Sequence, residues 1–250
     1  MNSVGPPRFV AIVFDWRSTT FTNALVGWIV GIDPNALSRG CKASDADIVF
    51  LQEVDEGVPR SRSHRQVDLL GDALKLPYRA YFPNVHLRRG CYGNALLSRF
   101  PFDHTENIDL TVPLKKKRGA LHARATLTFG ETQLRIWFFN VHLGLAEFER
   151  RVQLRRLFAW RRRHHPPGEA VSVIAGDLND VWGRLGSTLL EPEGFEGTAR
   201  LRTFPAAAPL RPLDRVFACG SLRILRAHTS ALDLARRASD HLPLIAELAP

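Results

Sequence analysis

Cysteine is scarce in this chain of 250 residues: Cys41, Cys91 and Cys219 are odd in number and far apart. That pattern excludes a disulfide framework and a zinc module, and it points to a reducing compartment. Acidic residues are also few, Asp+Glu 25 against Lys+Arg 34. No apolar run is long enough to span a bilayer, and ALVGWIVGI falls well short. The opening MNSVGPPRFVAIVFDW has no basic region leading into an apolar one with a small-residue cleavage site. A soluble, cytoplasmic, monomeric chain without a transmembrane segment or a stable protein partner is therefore expected. Repeats, low-complexity tracts and long linkers are missing too, so a single domain over residues 1–250 is the simplest division.

What is present is an ordinary globular balance, 45% hydrophobic and 24% charged, which removes disordered and fibrous classes. The formal net charge of +9 attracts a polyanion or an anionic membrane. Arginine dominates that excess; it suits bidentate phosphate contacts, although a GC-rich genome supplies it as well.

Strand-length apolar or alternating runs recur: RFVAIVF (8–14), DIVFLQE (47–53), NALLSRF (94–100), ALHARATLTF (120–129), QLRIWFFNVHL (133–143), VSVIAGD (171–177), PLDRVFA (212–218), LRILRAH (222–228) and PLIAEL (243–248). Helical patterns lie between them. PNALSRGCKA (34–43) follows Asp33 as a capping residue, and SHRQVDLLGDALKL places Val67, Leu70 and Leu74 on one face. AEFERRVQLRRLFAWRRRHH (146–165) offers Phe148, Val152, Leu154, Leu157 and Phe158 as a core stripe, with acids first and arginines last, the order that complements the helix dipole. The fold class predicted is α/β (α+β): a four-layered sandwich of two packed, mostly antiparallel β-sheets flanked by helices.

The strand ends carry polar residues that periodicity does not demand: Asp15, Glu53, His142, Asp177 and Asn179, Asp214, and Asp240 with His241. Each alone reads equally as a cap, a turn or a satisfied core histidine. Together they form an oxygen-rich rim without a thiolate, which fits a hard cation such as Mg²⁺ or Mn²⁺. Imidazoles beside such an ion suit proton transfer to phosphoryl oxygens, so the combination points to metal-assisted hydrolysis of a phosphate ester.

In the order DIVFLQEVD, YGNALLSRFPF, NVHLG with ERRVQ, AGDLND, PLDRVF and SDHLPL, the sequence resembles the endonuclease/exonuclease/phosphatase superfamily of Mg²⁺-dependent phosphoesterases over essentially its whole length. The resemblance implies that Glu53 ligates metal, with Asp240 helping, and that Asp177 orients or deprotonates the attacking water. It implies that Asn179 binds a phosphate oxygen and that His142 hydrogen-bonds or protonates the phosphate. His241 becomes a second phosphate-facing imidazole oriented by Asp214, while Tyr92 and Asn94 line the pocket. Relatives usually carry Asn where this chain has Asp15; a carboxylate there still binds the ion, adding charge at some cost to phosphate.

A nuclease acting on DNA is the expectation, from the charge and from the commonest chemistry of the family. A phosphatase or phosphodiesterase for a lipid or small molecule is the alternative, and a non-catalytic binding module is a third. Basic segments PRSRSHR (59–65), LKKKRGA (114–120) and RRRHH (161–165) are candidates to flank a polyanion. No aromatics interleave with them, so no stacking platform is expected, and no long apolar segment suggests a grip on a membrane.

Overall fold

The structure, a computed structural model, describes residues 8–15, 46–165 and 171–250; the helix expected over 34–43 lies outside them. Among the described residues, twelve strands form two six-stranded sheets. The first runs β11 (Arg223–Thr229), β12 (Leu244–Ala249), β1 (Phe9–Asp15), β2 (Ile48–Glu56), β4 (Cys91–Ser98), β3 (Tyr78–His86). The second runs β5 (Phe102–Asp109), β6 (Gly119–Phe129), β7 (Thr132–His142), β8 (Val171–Asp177), β10 (Asp214–Cys219), β9 (Glu196–Gly197). All neighbours pair antiparallel except β1 with β2 and β7 with β8.

Strand alternation builds the layers. In β1, Phe9, Ala11 and Val13 enter the cluster between the sheets with Phe50, Leu121, Phe138 and Val173. Val10, Ile12 and Phe14 point the other way, into a cluster with Val67, Leu70 and Leu74 of α1 (Gln66–Leu74) and with Ala235 and Ala238 of α3 (Asp233–Ala238). On the far side, Leu154, Leu157 and Phe158 of α2 (Glu147–His164) pack on Phe139, Val141, Ile174 and Phe217. Helix, sheet, sheet, helix are the four layers expected.

All nine predicted strands are present, and β3, β5 and β9 were not foreseen. Each is a sheet edge. Edge strands are wet and bury little, so their sequences lose the apolar signal; β3 also carries Pro83 at a register break, the kind of position where a strand tolerates proline.

The α2 stripe differs at its start. Phe148 is exposed and Val152 half-buried, whereas Glu149, Arg150 and Gln153 are buried. The first turns of this helix brace a loop rather than a core: the Gly144 N–H donates to Oε1 of Gln153 at 2.8 Å, and the Arg150 guanidinium donates to the carbonyl of Leu145 at 2.5 Å. A β-carbon on Gly144 would lie 2.0 Å from the Glu149 carboxyl carbon, so a larger residue there would push the Glu149 side chain aside. Among the described residues no helix is long and apolar enough to cross a membrane.

Candidate active site

Register decides which side chains meet. In the parallel pair β7–β8, His142 stands opposite Asp177, and in the antiparallel pair β8–β10, Asp177 stands opposite Asp214. The parallel pair β1–β2 likewise sets Asp15 opposite Gln52, one residue before Glu53. Face-to-face packing brings these ends to one rim. Gly176, with φ +141 and room for no β-carbon beside the Val141 carbonyl (1.9 Å), lets β8 hug β7 just before Asp177.

A β-bulge aims Glu53. Leu51 pairs with Ala95 and Val54 with Gly93, so Gln52 and Glu53 together face Asn94. Glu53 has φ +53 and Asn179 φ +51, left-handed conformations that residues with a β-carbon adopt at a cost. Asn179 is held there by its N–H on Oδ1 of Asp177 (2.7 Å) and its amide on the Leu143 carbonyl (2.9 Å).

Asp15, His142 and Asp177 are buried and offer ligand atoms within 4.8 Å of one another. His142 lies between two carboxylates, Nε2 at 3.5 Å from Oδ2 of Asp177 and Nδ1 at 3.9 Å from Oε1 of Glu53. His241 donates from Nδ1 to Oδ2 of Asp214 at 2.7 Å, and its Nε2 is 4.0 Å from Oδ2 of Asp15. Ser239 ties the segment down: its hydroxyl donates to the Asp15 carbonyl at 2.6 Å and accepts the His241 N–H at 3.1 Å. Asp240, half-buried, accepts from the Ser239 hydroxyl at 3.4 Å and stands outside the Asp15, His142, Asp177 group.

Burial, and then the charge of Asp214, push Asp177 up to about 7. Burial acts downward on His241 but is outweighed by the charge and hydrogen bond of Asp214, with Asp177 and Asp15 adding to it, so His241 rises to about 10. Asp15, Glu53, Asp177 and Asp214 are thus four buried carboxylates crowded at one rim. A hard divalent cation fits that excess of negative oxygen, and the donors are of the kind Mg²⁺ and Mn²⁺ take.

A pocket beside this group is lined by Glu53, Tyr92, Asn94, Lys117, Arg118 and His142. Both amide N–H groups of Asn94 are used by backbone carbonyls, Gly119 at 3.0 Å and Asn140 at 3.2 Å, so the side chain ties the two sheets together at the pocket wall. Asn140 completes that tie, donating to the carbonyls of Leu51 (2.9 Å) and Ala95 (2.8 Å) and accepting from Gln52 (2.6 Å). Neither Gln52 nor Asn140 was foreseen; the signal was an amide interrupting an apolar strand in FLQEV and FFNVHL. Arg118 was seen only as part of a basic run. It is buried, its charge acts on Asp177, and its Nε has no hydrogen-bond partner among the described residues.

The basic runs separate. Lys116 stands 3.7 Å from Oε1 of Glu53 and 5.0 Å from the Tyr92 ring centre, and Arg60 lies 5.4 Å from that centre. By contrast RRRHH ends α2, which runs away from the rim after His142; Arg161 covers Phe195 and Arg162 pairs with Glu193.

A sequence model described as the Endonuclease/Exonuclease/phosphatase family matches residues 20–241. A protein of Escherichia coli strain K12 called Uncharacterized protein YbhP is 35% identical over 230 residues, 85% of this chain and 87% of its own. Among solved structures, an endonuclease/exonuclease/phosphatase from Beutenbergia cavernae DSM 12333 superposes with TM-score 0.72 at 20% identity, over 97% of this chain and 71% of the other. D. rerio TDP2 complexed with single strand DNA product superposes with TM-score 0.64 at 18% identity, over 97% and 99%.

Proposed function

This chain belongs to the endonuclease/exonuclease/phosphatase family of phosphoesterases, and from that premise we propose that it hydrolyses a phosphodiester with Mg²⁺ or Mn²⁺. The observation that carries the reading is the buried Asp15, His142, Asp177 group beside the His241–Asp214 pair. When bound, the cation supplies charge that stabilises the phosphoryl oxygens, and Asp15, Asp177 and Glu53 are the carboxylates to hold it, with Asp240 at the margin.

The chain's own residues divide the remaining work. Asp177, buried at the end of β8 and fixed by the Asn179 N–H, positions the attacking water and takes its proton. His241, kept cationic by Asp214, presents Nε2 to a phosphoryl oxygen. His142 hydrogen-bonds the phosphate from between Glu53 and Asp177, and Arg118 offers its unspent guanidinium N–H from the pocket wall. Asn179 fixes the carboxylate of Asp177 through its N–H and holds the loop after His142. The water oxygen bonds to phosphorus, the bond to one ester oxygen breaks, and that oxygen leaves as an alcohol after taking a proton.

DNA is one substrate class this reading allows: the net charge is +9, and a fold neighbour, D. rerio TDP2, is complexed with single strand DNA product. A phospholipid is the second reading, favoured by apolar residues exposed on the rim. Hydrolysis of bis-p-nitrophenyl phosphate with Mg²⁺, Mn²⁺ or EDTA, in wild type and Asp177→Ala, tests the chemistry independently of either. Turnover that survives EDTA or survives loss of the carboxylate sinks it, and nicking of supercoiled plasmid tests the DNA arm.

A further inference from the structure

Most of the exposed large apolar side chains of the described residues stand on loops at the active-site end of the sheets. Leu87 is at the tip of the β3–β4 hairpin, beyond the end of β2 that carries Glu53. Leu114 is on the β5–β6 loop, which enters β6 beside Val141. Leu145 and Phe148 follow His142, Trp182 follows Asn179 and Asp180, and Leu210 precedes Asp214. Leu114 is fully exposed, Leu145 is 74% and Trp182 70% exposed.

None of these six side chains belongs to the buried apolar clusters of the described residues. Leu114 is also left-handed, with φ +63, so a strained backbone presents a leucine to water without packing in return. Apolar side chains clustered on one face of a folded protein mark an interaction surface.

The residues beside them choose the partner. Leu87 precedes exposed Arg88 and Arg89, and Leu114 precedes exposed Lys115, Lys116 and Lys117. Trp182 is followed by exposed Arg184, and Leu210 by exposed Arg211. Lys115 lies 5.3 Å from the Phe148 ring centre, and Lys116 reaches Glu53, so the basic layer continues into the site. Apolar tips set among cations match a lipid surface, with acyl chains below and anionic headgroups level with the charges. Leucines neither stack on bases nor bond phosphates, so DNA leaves four of the six tips unexplained. A second copy of this rim would bring like charges together.

We propose that the rim formed by Leu87, Leu114, Leu145, Phe148, Trp182 and Leu210 docks on an anionic phospholipid surface, and that the scissile phosphodiester is that of a lipid headgroup. Docking in this orientation turns the pocket lined by Tyr92 and Arg118 toward the headgroup phosphates. The substrate half of this proposal rests on the phosphodiesterase reading; the docking half does not. Water attack on such a diester breaks one phosphorus–oxygen bond and yields a phosphomonoester and an alcohol, with no other co-reactant.

The test is co-sedimentation of the full chain, in EDTA, with vesicles of phosphatidylcholine alone and of phosphatidylcholine with phosphatidylglycerol. Wild type is expected to sediment with the anionic vesicles only. The Leu114→Ser/Trp182→Ser double variant is expected to lose at least about tenfold in vesicle affinity while its hydrolysis of soluble bis-p-nitrophenyl phosphate, which also reports folding, stays unchanged. Absence of binding to anionic vesicles overturns the proposal, as does binding that the double variant retains, which is charge attraction alone. Loss of single-strand oligonucleotide binding in place of vesicle binding also overturns it, in favour of DNA. If wild type binds vesicles but cleaves neither the soluble ester nor phosphatidylglycerol with either metal present, the docking surface stands and the phosphodiesterase reading falls with the lipid substrate.

Discussion

Nδ1 of His241 donates to Oδ2 of Asp214 across 2.7 Å, and both groups are buried. In the metal-free protein the imidazole is expected to hold its proton through neutral pH and release it near about 10. The folded value exceeds the unfolded 6.5, so the stability this pair contributes is fully present below 6.5 and is lost as pH rises through about 10. Asp214→Asn should bring the titration down toward 6.5 and reduce phosphodiester hydrolysis by about 10²- to 10⁴-fold. Imidazole chemical shifts against pH check this, and an unchanged titration in the variant refutes it.

Asp177 has linkage of the same sign at lower pH. Its folded value near 7 lies above the unfolded 3.8, so the metal-free protein loses stability as pH rises between those values. Asp177→Asn removes that loss and is expected to melt higher than wild type above about pH 7, by on the order of a few kcal/mol, while abolishing turnover. A variant less stable than wild type in alkaline, metal-free buffer contradicts the crowding of carboxylates at the rim.

Cation binding should raise the melting temperature, by the equivalent of about 2.7 kcal/mol at a hundredfold excess over Kd. Asp15→Asn is expected to weaken Mn²⁺ binding and to lower KM for the phosphodiester, because one negative charge leaves the phosphate's surroundings. Calorimetric titration with Mn²⁺ alone reads the first effect and steady-state kinetics the second; unchanged affinity removes Asp15 from the ligand set.

Asn140 bridges the sheets under the site through Leu51, Ala95 and Gln52. Asn140→Leu takes a donor from each of two buried carbonyls and the acceptor from the Gln52 amide, so a loss of about 2–4 kcal/mol is expected in urea unfolding. A loss under about 1 kcal/mol would mean that the network is dispensable.

On the outer face of the second sheet, His122 donates to the Phe138 carbonyl at 3.2 Å and stacks on Trp137 and Phe139. Burial lowers it to about 4, and burial with the charge of Arg161 lowers His165 to about 3. Both values lie below the unfolded 6.5, so the unfolded chain takes up protons first and stability falls as pH drops below about 6.5. His122→Phe is expected to flatten that decline, which denaturant melts at several pH values will show; an unaltered slope assigns acid sensitivity elsewhere.

Some of this architecture was written locally. A strand buried on both faces, such as FVAIVFD, declares itself by continuous apolar residues, and an interior strand with one wetter face, ALHARATLTF, by alternation. The edge strands β3 and β5 were not legible, since a strand that buries little need not be apolar. At the site, AGDLND and SDHLPL stood out because several short polar side chains follow apolar runs without a periodic reason. Gln52, Asn140 and Arg118 stayed hidden, because a single polar residue inside a strand or basic run resembles ordinary surface decoration.

By itself, then, the sequence determined the interior strands, their layering and the kind of chemistry at their ends, all properties that repeat over a few residues and need no distant partner. Only the tertiary structure decided that Asp15, His142 and Asp177 converge, that a bulge turns Glu53 beside His142, and that leucines from separate loops share one rim with lysines and arginines. Those relations depend on strand register and sheet packing, which join residues far apart in the chain and leave no trace in local periodicity.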